Sequence, residues 1–485
     1  MPTRLDSILT TPVAPPADTP DAVLVNDVHS QLNPTWVARI EDASSIARVQ
    51  EIVGAAARDQ RPLCIAGGRH AMGAQQFASD GVLIDTRTLD RVIAFDSEQG
   101  IVEVEAGIQW PALIEHLLAL QGGARRAWGI AQKQTGADRL SIGGAIAVNA
   151  HGRGLTMRPM IADVEALSLV NATGELVRCS RTERPELFRL VCGGYGLFGV
   201  VVSVALRLTP RTKLRRVVEI GNVDALIPAF NSRIADGYQY GDFQFAIDPE
   251  SSDFLHRGVF ATYRPVAPSI PIPDGQRELS DAEWQELLHL AHRHKSDAFA
   301  RYSEHYLATT GQVYWSDTHQ LSTYLDDYHR ALDTRYGATS RATEMISELY
   351  VPRARLADFM SEVAEDFRRN EVDVIYGTVR LIERDDESVL AWAREPWACV
   401  IFNIHTEHTA AGIGRSAGAF RRLIDMARAR GGTYFLTYHK WATKEQVLAC
   451  HPRMQEFIAK KREYDPEERF QSDWWRHHVR LLSEG

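Results

Sequence analysis

The chain has 485 residues, a formal net charge of −9 and a pI near 6.0, which argue against nucleic acid as a partner, since that calls for a basic patch. Hydrophobic residues make up 45% and charged residues 24%, the balance of a globular protein with material for two or three structural units. No apolar run approaches the ~20 residues of a membrane span.

In chain order, the first twenty residues are proline-rich and broken by charge, which predicts a loose tail and no signal peptide. Ile46, Val49, Ile52, Val53 and Ala56 repeat at helical spacing and predict a helix over 44–58. Strands are expected at Leu63–Ala66, Val82–Asp85 and 101–106, and a helix at Trp110–Leu120. Residues 140–154 are small and glycine-rich, 162–170 and 199–208 read as strands, and Pro210 closes this unit. Beyond it the chain is richer in aromatics and histidine, with a proline-rich loop at 265–273. A strand near Tyr434, one helix over 444–462 and a polar tail complete the chain. His289, His292 and His294 read as surface residues. Five scattered cysteines, Cys64, Cys179, Cys192, Cys399 and Cys450, fit neither a disulfide framework nor a zinc ribbon, and the expected setting is a reducing cytoplasm.

Three glycine-rich clusters carry the chemistry. The turn Ala66-Gly67-Gly68-Arg69-His70-Ala71-Met72 lets successive amides approach a ligand and form an anion-binding concavity suited to a pyrophosphate. Gly194-Tyr195-Gly196-Leu197-Phe198-Gly199 matches G-x-G-x-x-G by letter, but a helix precedes it and a strand follows. That is the reverse of a dinucleotide fingerprint, so a nicotinamide site is rejected there. The run from Thr135, Gly136 and Asp138 through Ser141, Gly143, Gly144, Ala147 and Asn149 to His151 and Gly152 is too small for a packed core and fits a chain lying along a large planar ligand.

Together, and in this order, these clusters resemble the FAD-binding domain of the vanillyl-alcohol oxidase/p-cresol methylhydroxylase (PCMH-type) superfamily. Within it, Ser141 to Ala147 followed by His151-Gly152 resembles the decaprenylphosphoryl-ribose oxidase branch. The resemblance implies an α+β fold of two domains: a PCMH-type FAD-binding domain over 31–211 and an α+β substrate (cap) domain over 212–433. A loose tail over 1–30 would precede them, and a segment over 434–485 would return to the FAD domain. It implies FAD held by Ala66, Gly67, Gly68, Arg69, His70, Ala71, Met72 and Gln75, by the second run, and by Gly199, Val200 and Val201. His70 falls at or beside the histidine that many members bond to the flavin. No cysteine occurs in 130–150, so at most one covalent bond is expected.

On the substrate side, Ser347-Glu348-Leu349-Tyr350 and Val379-Arg380-Leu381-Ile382 resemble segments of the alditol and aldonolactone oxidases. The period of two puts Tyr376, Thr378 and Arg380 on one strand face, and Asn403, His405 and Glu407 on another. Polar faces in apolar strands must be solvated, paired or binding something. The histidines and carboxylate at 405–408 lack the further ligands of a zinc site, and no metal is expected. After Leu436-Thr437, where the ribose oxidase branch carries a lysine, this chain has Tyr438. Tyr438, His439 and Lys440 are candidates for the base, Arg380 and Glu348 for orienting substrate, and Tyr350, Tyr376, Asn403 and His405 for contacting it.

The reaction expected is oxidation of a CH–OH group of a sugar, polyol or lactone by hydride transfer to FAD. Oxygen, a quinone or a protein could serve as the acceptor. A carbon–carbon double-bond reductase and a flavin-binding partner subunit without turnover are the alternatives.

Overall fold

Ser45 begins the first helix. Its side chain accepts from the Arg48 amide, and Val49, Ile52, Val53 and Ala56 form one buried stripe along Ile46–Arg58, the pattern of a helix with one face on a core. The stripe packs on Leu63, Val82 and Ile84, from a three-stranded parallel sheet ordered Arg39–Asp42, Val82–Asp85, Leu63–Ala66. This computed structural model describes residues 19, 21–123, 126–323, 325 and 327–483. Residues 1–18 of the expected tail lie outside them; Val23–Val25 pairs as a strand with Thr35–Val37.

A second sheet runs Leu176–Ser180, Val164–Val170, Val200–Arg207, Ile101–Glu105, Val92–Asp96, antiparallel throughout. The helix Pro185–Val191 and the strand Val200–Arg207 flank the glycine cluster at 194–199, the order that argued against a nicotinamide site.

The third sheet has eight strands, in the order Val313–Trp315, Lys213–Asn222, Arg257–Val266, Tyr240–Phe245, Val374–Ile382, Trp397–Glu407, Ala342–Pro352 and Thr433–Tyr434. All its pairings are antiparallel. One face is apolar: Phe243, Phe260, Phe402 and Leu349 meet helices Val223–Ala235, Leu356–Arg369 and Ala410–Ala429 through Phe230, Phe367 and Phe420. The alternate residues look towards the FAD-binding domain. Helices Asp281–Arg293 and Lys295–Ala308 form a hairpin over part of that second face, where Phe299, Tyr302 and Tyr306 pack on Val218, Val259 and Ala261. Among the described residues no helix is long and apolar enough to cross a membrane.

The end of the chain returns to its beginning. The Leu63 amide donates to the Arg469 carbonyl at 2.7 Å, and the Gln471 amide donates to the Leu63 carbonyl at 2.8 Å. Before this contact the chain does not form one helix over 444–462. It forms Lys444–Cys450 and Met454–Tyr464, because Pro452 lacks an amide hydrogen and pushes His451 to a non-helical φ of −126° and ψ of 72°. The run expected to lie along a ligand instead contains the short helix Ile142–Ala147, capped by Ser141. His292 also differs from expectation: its side chain is 6% exposed and reaches Glu344 at 3.3 Å.

Candidate active site

A cavity of about 900 Å³ lies between the FAD-binding domain and the polar face of the large sheet, within the size range of small-molecule and cofactor sites. The glycine turn forms one wall. Gly67 and Gly68 leave no room for a side chain: a Cβ would stand 2.1 Å from Ser141 Oγ and 2.2 Å from the Arg139 carbonyl, respectively. Arg69 takes a left-handed φ of +58°. Among the described residues the amides of Gly68, Arg69, His70 and Ala71 donate to no protein acceptor. Free amides around a glycine turn are the donor set that an anionic pyrophosphate uses, so the cradle fits FAD. Gly67 to Ala71, Gln75, Thr135, Gly136, Ser141, Gly143, Gly144, Ala147, Gly199 and Val201 all line the cavity.

Other residues expected at the cofactor lie behind this surface. Ala66, Met72 and Val200 are core. Asp138 pairs with the buried Lys133 and accepts the Ser322 amide. Asn149 donates to Asp385 and accepts from the Ile161 amide, tying the FAD-binding domain to the cap. The Gly152 amide donates to Gln132. His151 does not line the cavity; it serves the cap, with Nε2 2.5 Å from Glu348 Oε1 and Nδ1 2.9 Å from the Gly152 carbonyl.

Strand register explains why Glu348 meets His151. Arg380 pairs with Cys399, Cys399 with Tyr350, Thr378 with Ile401, and Ile401 with Glu348, so these side chains share one face. Tyr376, Asn403, Arg380 and Tyr438 line the cavity; Glu348, Tyr350 and His405, expected there from the sequence, do not. Glu348 Oε1 accepts from Tyr350, whose hydroxyl is in close contact, and from the Cys399 thiol at 3.4 Å. Oε2 has no partner. Burial opposes the charge on Glu348, but the His151 ring and the Tyr350 hydroxyl outweigh it and hold the carboxyl below its ordinary value. Burial, reinforced by Glu348, pushes the Tyr438 phenol well above its usual value, so Tyr438 stands as a neutral hydroxyl beside a carboxylate. Gln134 donates to the same hydroxyl at 3.4 Å.

His151, Glu348 and Cys399 bring three donor atoms within 4.8 Å of one another. The 2.5 Å contact between His151 and Glu348 is that of a short hydrogen bond between the imidazole and the carboxylate.

His439 and Lys440 do not reach the cavity. His439 stacks between Tyr434 and Trp441, at 5.7 Å from each, and burial holds it at about 3. Lys440 is held below its ordinary value by burial, partly offset by Asp473 and Asp27. Sequence reasoning missed Arg153, Arg216, Asp242, Gln244, His319 and His29, which line the cavity. Of these, only Arg153 stood beside a recognised motif, directly after His151-Gly152. His70 Nδ1 and His29 Nε2 share a 2.8 Å hydrogen bond, and burial beside His29 lowers His70 to about 3.

Residues 38–180 match the family model described as "FAD binding domain". The chain carries an FAD-binding domain with a separate β-sheet-rich cap, an arrangement consistent with PCMH-type architecture. Similar curated proteins include cytokinin dehydrogenase 3 of Oryza sativa subsp. japonica, 30% identical over 36% of this chain and 33% of the relative. L-gulonolactone oxidase of Bos taurus is 28% identical over 36% of this chain and 37% of the relative. L-gulono-1,4-lactone dehydrogenase of Mycobacterium tuberculosis is 24% identical over 89% of this chain and 94% of the relative. The chain thus spans about a third of the length of the first curated relatives it matches, whereas the similarity to the lactone dehydrogenase covers most of both chains.

Proposed function

We propose that the protein is an FAD-dependent oxidoreductase that oxidises a CH–OH group of a sugar, polyol or sugar lactone. The observation that carries this reading is the Tyr438–Glu348–His151 array. A neutral hydroxyl faces the cavity, a carboxylate with one free oxygen stands behind it, and a histidine shares a proton on the far side. When bound, FAD supplies the acceptor for the carbon-bound hydride.

The chain's own residues handle the proton. Tyr438 takes the substrate hydroxyl proton as it passes its own to Glu348, so no free phenolate is needed. His151 and Tyr350 steady the carboxylate before the transfer. Arg380 reaches the cavity from the strand Val374–Ile382 and holds the substrate in place. His70 is a buried, neutral imidazole in the glycine turn and is our candidate for a covalent bond to the flavin. His439 and Lys440, which do not line the cavity, are assigned no contact with substrate.

Anaerobic mixing of yellow protein with a panel of alditols and aldonolactones tests the reading. Bleaching of the flavin by one of them is expected. A protein purified without flavin, or one that no alcohol bleaches while an enone and NADPH turn over, would overturn it.

A further inference from the structure

Two arginines at the cavity, Arg380 and Arg153, keep donor atoms that no protein acceptor engages. Phe243 pairs with Val379 and Gln244 with Thr378, so the next antiparallel step sets Asp242 opposite Arg380 on the cavity side. Arg380 is 4% exposed, yet its Nε and Nη1 have no partner. Arg153 is half-buried, its side chain 13% exposed. Its Nη2 donates to the His319 carbonyl at 2.6 Å, its Nε has no partner, and Nη1 is 3.9 Å from Asp242 Oδ1, beyond hydrogen-bond reach.

Arg216, by contrast, is fully engaged. It donates to the Tyr263 hydroxyl at 2.9 Å and to Thr309 at 3.1 Å, and lies over the Tyr314 ring. Asp242 is already bound through Oδ2 by Gln244. Glu344, another carboxylate at the cavity, accepts from Asn403 and faces His292. Lys133 stands behind, paired with Asp138, close enough to Arg153 and Arg380 for their charges to act on it.

One buried and one half-buried guanidinium group with open donors in one cavity are costly unless a ligand completes them. Guanidinium donors in a fork match the oxygens of a carboxylate or phosphate. We propose that the substrate carries such an anionic group and that Arg380 and Arg153 hold it while its hydroxyl lies at Tyr438. The inference rests on the reading above, that the cavity takes an alcohol. It narrows the substrate to an acidic one: a hydroxy acid, a sugar acid or a sugar phosphate.

Three matched pairs of probes separate charge from shape: D-gluconate against D-glucitol, D-glucose 6-phosphate against D-glucose, and 2-hydroxyoctanoate against 1,2-octanediol. Binding to the flavin-loaded protein is read from perturbation of the flavin spectrum and from the melting temperature, neither of which requires turnover. The acidic member of at least one pair should bind about 10- to 100-fold more tightly, the worth of hydrogen bonds to a charged group. Which pair responds distinguishes carboxylate from phosphate.

Arg380→Gln and Arg153→Gln should each erode that preference, while Arg380→Lys keeps part of it. Full flavin content in each variant shows that it has folded. Equal binding within all three pairs would overturn the proposal, as would a preference that survives both glutamine substitutions. Bleaching by neutral alcohols alone would likewise overturn the anion site while leaving the oxidation reading intact. Tight binding of an acid with no bleaching by any alcohol would overturn the oxidation reading and leave the anion site standing.

Discussion

Trp474, in the last helix, stacks on Tyr195 with ring centroids 4.7 Å apart and planes 25° apart. Tyr195 belongs to the glycine cluster and lines the cavity, so a residue of the chain's end backs the cofactor groove from outside. Trp474→Ala should cost about 3–5 kcal/mol, the usual range for removing a buried tryptophan. Because the lost support lies at the groove, flavin should also be released during purification. Denaturant unfolding and the flavin-to-protein absorbance ratio check the two effects separately.

Tyr438→Phe removes only the hydroxyl that faces the cavity. The reductive half-reaction should slow about 10²- to 10⁴-fold, the worth of a placed acid–base group, with the melting temperature nearly unchanged. Stopped-flow bleaching gives the rate. A variant reduced at wild-type speed would remove Tyr438 from the chemistry.

Glu348 must be ionised to receive the proton, and its carboxyl is held below the ordinary value. The wild-type reductive rate should therefore stay level through neutral pH and fall only as acid titrates this group. In Glu348→Gln the acceptor is gone at every pH. The rate should be low throughout, without the acid limb that the wild type shows.

Asp163 provides a stability test. Its carboxyl is 2.8 Å from Gln132 Nε2, and burial raises it to about 6. For a raised carboxyl the folded state binds the proton more tightly than the unfolded state, so stability falls as pH rises from about 4 to about 6 and stays reduced above that. Asp163→Asn cannot ionise and should gain about 3 kcal/mol over the wild type at pH 8, with the gain vanishing near pH 4. Parallel urea titrations at the two pH values measure it.

Acid precipitation reports on His70. If this ring is bonded to the flavin, the wild-type pellet is yellow and the His70→Ala pellet is white, with colour in the supernatant. A white wild-type pellet would exclude a covalent bond.

The local features of the site were legible where one short segment encodes them. The faces Tyr376-Thr378-Arg380 and Asn403-His405 follow from a period of two, and the pairing of Tyr376 with Asn403 places them side by side. The glycine turn and its partner at Ser141 were visible because close approach excludes side chains. What stayed hidden depends on which strands become neighbours. Asp242 stands across from Arg380 through a register between strands more than a hundred residues apart, and nothing local announces it. His151 appeared to belong to the flavin because it follows the glycine run; only the folded chain shows its ring turned to Glu348. His439 and Lys440 were chosen for reactivity alone, yet His439 stacks on Tyr434 and Trp441 and neither side chain lines the cavity.

The pairing of residues 469–471 with Leu63 bears on how the protein is made. During translation the cap strands emerge and can pair among themselves long before residue 474 leaves the ribosome. Until then the parallel sheet that carries the glycine turn has an open edge at Leu63, and Tyr195 lacks its stacking partner. The glycine turn is synthesised well before the segment that completes its sheet, so a nascent chain stalled before residue 469 would carry a folded cap beside an unfinished flavin site.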